Sequence, residues 1–294
     1  MYRNMEKNPP LDFNMYEFPA KINKCIKIAF IADLHDRTFS RIMDIFEKNR
    51  PDIVCIAGDL ISWHIIRRNK MTLRRYIRIL RKHEINVKEC GHLYTSRYAL
   101  DFLKRCVEIA PTFYSLGNNE KYFDAKDREC VQTAGARLLD NQFVIYNDIA
   151  IGGLTSSYVY NMGTLYQEAS TCIMVNTNPI SNKLRGKQIE WLDDFEKLDL
   201  FKILLCHHPE YYDLYLKDRQ IDLILAGHAH GGQIRIGKRG LYAPGQGMFP
   251  QYFSGLYHNR MLVSRGIANV SQFVPRINNN REVIYIKLIP MNGG

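Results

Sequence analysis

The chain has 294 residues, 46% of them hydrophobic and 24% charged, the make-up of a folded globular protein and not of a disordered one. No apolar run reaches the roughly 18 residues of a helical membrane span, and a formal net charge of +10 favours anionic partners by sign alone. Seven cysteines follow neither zinc nor disulfide spacing, so they read as free thiols of a reducing compartment.

Taken in chain order, the opening Met1–Pro19 is polar, broken by Pro9, Pro10 and Pro19, and lacks the apolar core of a secretory signal. It reads as an N-terminal arm over residues 1–22, irregular or loose, ahead of one domain over residues 23–290, with the cytoplasm as the default location. Cys25–Ala32 and Asp52–Ala57 are short apolar runs of the kind buried on both faces of a sheet, with a helix of amphipathic period over Phe39–Lys48 between them. Arg67–Lys82 is densely basic, with Leu73, Tyr76, Ile77 and Leu80 at helical spacing. Its plain reading is a solvated helix face, and its sharper one a surface helix that draws the protein to anionic lipid at the inner membrane face or to a polyanionic substrate. Tyr98–Ile109 and Gln188–Leu198 predict further helices. Thr112–Leu116, Ile145–Gly152, Lys202–Cys206, Asp222–Ala226 and Glu282–Leu288 predict strands, and Gly240–Tyr257, rich in Gly, Pro and aromatics, an ordered loop. Alternation of this kind predicts an α/β fold with helices covering the sheet faces.

Chemistry-bearing residues gather at the strand ends. Ile28–Ala32 runs into Asp33-Leu34-His35, and Ile53–Ala57 into Gly58-Asp59. Thr112–Leu116 runs into Gly117-Asn118-Asn119-Glu120, Lys202–Cys206 into His207-His208-Pro209, and Leu223–Ala226 into Gly227-His228-Ala229-His230. Ligand groups of open α/β sheets collect at the carboxyl ends of strands, so these five loops can converge. Carboxylate, amide oxygen and imidazole are donors for manganese, iron or zinc, and the lack of cysteine among them argues against a structural zinc site. A carboxylate shared between two divalent ions offsets part of their repulsion.

The order Asp-x-His, Gly-Asp, Gly-Asn-x-Glu, His, Gly-His-x-His resembles the calcineurin-like metallophosphoesterase family from about Lys27 to Leu288. The later Tyr-Ala-Pro-Gly-Gln-Gly, Ser-Gly-Leu-Tyr and Val-Ser-Arg-Gly stretches resemble one bacterial branch of it, of mostly unassigned substrate. The resemblance implies a four-layer α/β/β/α sandwich with two mixed β-sheets and a dinuclear metal site at the strand ends. It implies Asp33, His35 and His230 on a first ion, Asn118, His207 and His228 on a second, and Asp59 bridging both. It implies in-line attack by a hydroxide between the ions on a phosphodiester, pyrophosphate or phosphomonoester.

One position departs from the pattern. The family usually carries histidine where this chain has Asn119, and an amide gives up no proton at neutral pH. Asn119 is expected to hydrogen-bond substrate, and a preference for good leaving groups, or a substitute acid, follows. His208 is the first candidate for that acid, with His64 and His92 behind it; capping the following helix is the competing account of His208. Arg37, just past the first motif, is a candidate phosphate contact or a solvated loop arginine. Tyr242 to Tyr257 could wall the pocket or pack in the core. The rival functions are a pyrophosphatase on a nucleotide-linked lipid precursor, a nuclease, or a metal-binding scaffold with impaired turnover. The expected partner is an anionic phosphate-containing substrate; no nucleic-acid-binding module is recognisable.

Overall fold

The computed structural model describes residues 10–62, 92–159, 184, 186–268, 270–271 and 274–291. The basic stretch Arg67–Lys82 and the candidate acid His64 lie outside the described residues.

Among the described residues, twelve strands form two six-stranded sheets. In the first, β1 (Leu11–Ala20) and β2 (Ile26–Ile31) are followed by β3 (Ile53–Ala57), β4 (Thr112–Ser115) and β5 (Arg137–Leu138). The second starts with β6 (Gln142–Tyr146), β7 (Ile149–Leu154), β8 (Phe201–Cys206) and β9 (Leu223–Ala226). Two hairpins follow, β10 (Arg235–Ile236) with β11 (Arg239–Gly240) and β12 (Tyr242–Ala243) with β13 (Gly247–Met248). Next come β14 (Gly255–Tyr257) and β15 (Met261–Val263), then a third small pair, β16 (Val270–Ser271) and β17 (Val274–Pro275). The last strand is β18 (Arg281–Pro290). The sheet orders are β1-β18-β2-β3-β4-β5 and β14-β15-β9-β8-β7-β6, and both sheets mix parallel and antiparallel neighbours.

Period-two alternation explains why the central strands are apolar on both faces. Ile28 and Phe30 of β2 face the second sheet and meet Ile151, Ile203 and Leu225, whereas Ala29 and Ile31 face outward toward Ile42, Phe46 and Phe102. Those last three belong to helices α1 (Ser40–Lys48) and α2 (Ala99–Ile109). On the far side of the second sheet, Leu204 and Ile224 pack with Leu192 and Phe195 of α4 (Leu192–Glu196); α3 (Ala125–Thr133) adds Val131 to the first outer layer. The result is the α/β/β/α sandwich, with its main core between the sheets. Each large aliphatic side chain buried there contributes about 1.5–3 kcal/mol relative to exposure.

Two stretches differ from the sequence expectation. Leu11–Ala20, expected within an irregular arm, is a regular edge strand paired in parallel with all of β18. Phe18 and Ala20 turn inward, while Pro19, which has no N–H to give, sits on the exposed side where an edge strand tolerates it. The expected single strand Ile145–Gly152 is a hairpin, because Asn147 adopts φ 51° and turns the chain between β6 and β7.

Candidate metal centre

Strands β2, β3 and β4 of one sheet and β8 and β9 of the other all end at the same rim of the sandwich, so loops from both sheets meet there. The loops are laced by backbone hydrogen bonds: Asp33 N donates to Gly58 O at 3.2 Å, His35 N to Asp59 O at 2.9 Å, and Gly227 N to His207 O at 3.0 Å. Asp33, His35, Asp59, His228 and His230 all hold left-handed backbone, with φ between 47° and 65°. Non-glycine residues seldom adopt this region, and such strain concentrates where a site must aim side chains against local preference. Gly58, at φ 78°, admits a close approach: a Cβ there would stand 2.7 Å from both the Gly117 backbone and His207 Nδ1.

Two clusters of the expected ligands result, Asp33 with His35 and His230, and Asp59 with His207 and His228; His228 also groups with His208 and Glu210, and His92 groups with Asp124 and Asp127. In the first, His230 Nε2 lies 3.2 Å from His35 Nε2 and 3.4 Å from an Asp33 oxygen. Asp59 Oδ2 stands between the clusters, 3.5 Å from His35 Nε2 and 3.4 Å from His207 Nε2. Asn118 Oδ1 is 3.1 Å from the same His207 nitrogen. His207 Nδ1–H donates to Ala57 O at 2.7 Å, which leaves Nε2 as the nitrogen facing the site. His35 and Asn118 are half-buried while Asp33, Asp59, His207, His228 and His230 are buried, so solvent meets the site beside the first two.

Charge balance is the informative feature. Burial opposes ionisation of Asp33, yet His230 and His35 hold its carboxyl down at about 2; Asp59 is likewise held well below the usual carboxylate range by His207 and His35. Two buried carboxylates demand positive charge. His207 supplies it: burial disfavours its imidazolium, but Asp59 outweighs burial and pushes it up to about 10. His228 and His230 go the other way. Burial, joined by His208 for the one and opposed by Asp33 for the other, brings each down to about 3, so both are neutral and present lone pairs.

The donor set fits metal ions on geometry alone. Bonds of about 2.0–2.2 Å put adjacent ligand atoms about 3.0–3.5 Å apart, and the spacings above fall at or near that range.

Residues 26–232 match the Calcineurin-like phosphoesterase family. The chain belongs to the calcineurin-like phosphoesterase family. This phosphoesterase is 26% identical over 225 residues to the uncharacterized protein YpbG of Bacillus subtilis (strain 168), covering 75% of this chain and 67% of that one. It is 25% identical over 277 residues to the phosphodiesterase YaeI of Escherichia coli (strain K12), covering 90% of this chain and 82% of that one. With the uncharacterized metallophosphoesterase Cj0846 of Campylobacter jejuni it shares 28% identity over 240 residues, 79% of this chain and 50% of that one.

In this phosphoesterase all seven residues expected as ligands lie in the two clusters or, for Asn118, directly against His207. The other expected site residues sit differently. The side-chain amide of Asn119 donates to Asp59 Oδ2 and its backbone N–H to Asp59 Oδ1 at 2.8 Å, so Asn119 orients the carboxylate between the clusters. His208 is buried, with Nε2 2.8 Å from Ser156 Oγ and Nδ1 3.0 Å from Glu210 Oε1, and its ring centroid 4.2 Å from that of His228. Both ring nitrogens are engaged inside the protein, and the ring packs against that of His228. His92 pairs with Asp127 at the start of α3. Arg37 is exposed, two residues beyond His35. Of the aromatics after the last motif, Tyr252 is buried in the outer core, its hydroxyl donating to Asp213 at 3.1 Å.

Three supporting residues carry roles that the sequence did not assign, although Glu120 closes the Gly-Asn-x-Glu motif. Glu120 is fully buried and its carboxylate accepts four backbone N–H groups, from Asp59 (2.9 Å), Leu60 (2.8 Å), Ile61 (3.3 Å) and Gly117 (2.7 Å). Asp36 accepts from the backbone of Arg97, Tyr98 and Ala99 at 2.6–2.9 Å and so ties the start of α2 to the loop that carries Asp33 and His35. Glu120 is an acid within a motif and Asp36 an acid just after one, a signal that could have marked them. Ser156 carries no such signal.

Proposed function

We propose that this phosphoesterase is a dinuclear metal-dependent phosphohydrolase acting on phosphodiesters, with pyrophosphates as the neighbouring class and phosphomonoesters as the poorest. The observation that carries the reading is Asp59 Oδ2, almost equidistant from His35 Nε2 of one cluster and His207 Nε2 of the other. Asp33, His35 and His230 would hold one ion and Asn118, His207 and His228 the other, with Asp59 shared. Manganese, iron or zinc in those positions supplies Lewis acidity toward phosphoryl oxygens and activates water as nucleophile.

The chain's own residues do the rest. Ala57 O and the His208–Glu210 pair hold His207 and His228 in their orientations, and Asn119 fixes Asp59. Arg37 is the exposed cation nearest in sequence to the first motif and suits a non-bridging phosphate oxygen. No histidine stands at position 119 to protonate a departing alkoxide, which favours esters whose leaving group departs unaided. The similarity to the phosphodiesterase YaeI points the same way.

The experiment is turnover of bis(4-nitrophenyl) phosphate and 4-nitrophenyl phosphate by chelator-treated protein reloaded with each metal in turn. Metal-dependent cleavage, faster for the diester, is expected. Absence of turnover with every metal despite full loading would favour a binding protein instead.

A further inference from the structure

The rim that follows His230 has an unusual surface. Between Asp222 and Glu282 the sequence contains no acidic residue, while one hairpin carries Arg235, Lys238 and Arg239, the last two exposed. On that rim four large apolar side chains face solvent: Ile236 and Phe249 are each 70% exposed, Met248 58% and Ile277 44%. Single exposed apolar residues are ordinary, but four on one rim are not explained by chance exposure.

They belong together through the backbone. Arg235–Ile236 pairs with Arg239–Gly240, Leu241 N donates to Ile234 O at 2.8 Å, Phe249 N to Leu241 O at 2.8 Å, and Arg235 N to Ile277 O at 3.0 Å. Leu241 N also reaches Gly232 O at 3.1 Å, which pins this rim to the turn carrying His230. Lys238 and Arg239 are exposed at the hairpin tip beside Ile236. An apolar tip ringed by cations, with no carboxylate in the same stretch of chain, is the complement of an anionic bilayer, where apolar side chains enter the interface and cations meet headgroup phosphates.

We infer that the 234–249 rim, with Ile277, is a docking surface for an anionic phospholipid membrane, and that it sets the metal centre against the headgroup layer. The second half rests on the phosphoesterase reading above; the docking does not.

The test is co-sedimentation of the full chain with phosphatidylcholine vesicles, with and without phosphatidylglycerol, across salt concentration. Wild type sediments with the anionic vesicles only. The double substitution Ile236→Ser with Phe249→Ser weakens partitioning about tenfold or more. Lys238→Ser and Arg239→Ser weaken it about fivefold each. Circular dichroism and turnover of bis(4-nitrophenyl) phosphate stay unchanged in all of them. Wild type that ignores anionic vesicles overturns the inference, as does unaltered binding by both sets of variants, which would place lipid contact elsewhere on the chain. A dimer in light scattering that dissociates on Ile236→Ser with Phe249→Ser assigns the face to a second copy and overturns it too. Intact vesicle binding with no diester turnover sinks the phosphoesterase reading alone.

Discussion

His35 and His230 turn their Nε2 atoms toward each other across 3.2 Å, although the two residues come from loops of different sheets. A cation between them would accept a lone pair from each ring, and removing it would leave the loops that carry them without their common partner. Exhaustive chelation is therefore expected to lower the melting temperature, and reloading to restore it by an amount that grows with metal concentration, as mass action requires. Differential scanning calorimetry at graded manganese or zinc checks this. A melting temperature indifferent to metal would count against the site.

Metal uptake should release a proton. In the metal-free protein His207 is held protonated up to about 10, so its positive charge stabilises the fold below the ordinary histidine pKa and is lost as pH rises through about 10. A cation replaces that proton. Apparent metal affinity is then expected to rise close to tenfold per pH unit between about pH 7 and 9, with about one proton released from His207. His228 and His230, at about 3, are already neutral and add none. Titration calorimetry in buffers of different ionisation enthalpy counts the protons.

His208 is expected to act on His228 and not on the leaving group. His208→Gln should cut activity about 10- to 100-fold, as loss of an outer partner of a metal ligand does, with excess metal recovering part of it. The shape of the pH–rate profile should stay as in wild type. Disappearance of the basic limb would instead identify His208 as a proton donor.

Glu120 is the keystone of the Gly58–Ile61 loop. Glu120→Ala orphans four backbone N–H groups at roughly 1–3 kcal/mol each before relaxation, so a loss of about 3 kcal/mol or more is expected from denaturant unfolding. Glu120→Gln, which keeps acceptor oxygen but introduces donors, should lose less.

Asn119 predicts a leaving-group signature. Rates on a diester series should fall steeply as leaving-group pKa rises, and Asn119→His should flatten the slope, with gains up to about 10²-fold for the poorest leaving groups. Equal slopes for the two proteins would show that position 119 acts only through Asp59.

The sequence by itself determined the α/β class, the central strands and the seven ligand-type residues, because each signal is local. A buried parallel strand must be apolar on both faces, and a glycine or a ligand at its carboxyl end is written in the same few residues. Only the tertiary structure decided what those residues do for one another. Asn119 turns to Asp59, His208 closes onto Ser156 and Glu210, and Leu11–Ala20 finds its partner in Arg281–Pro290 at the opposite end of the chain. Hydrogen-bond partners and edge pairings of this kind join residues far apart in sequence, and local periodicity carries no record of which distant group will satisfy a buried donor or acceptor.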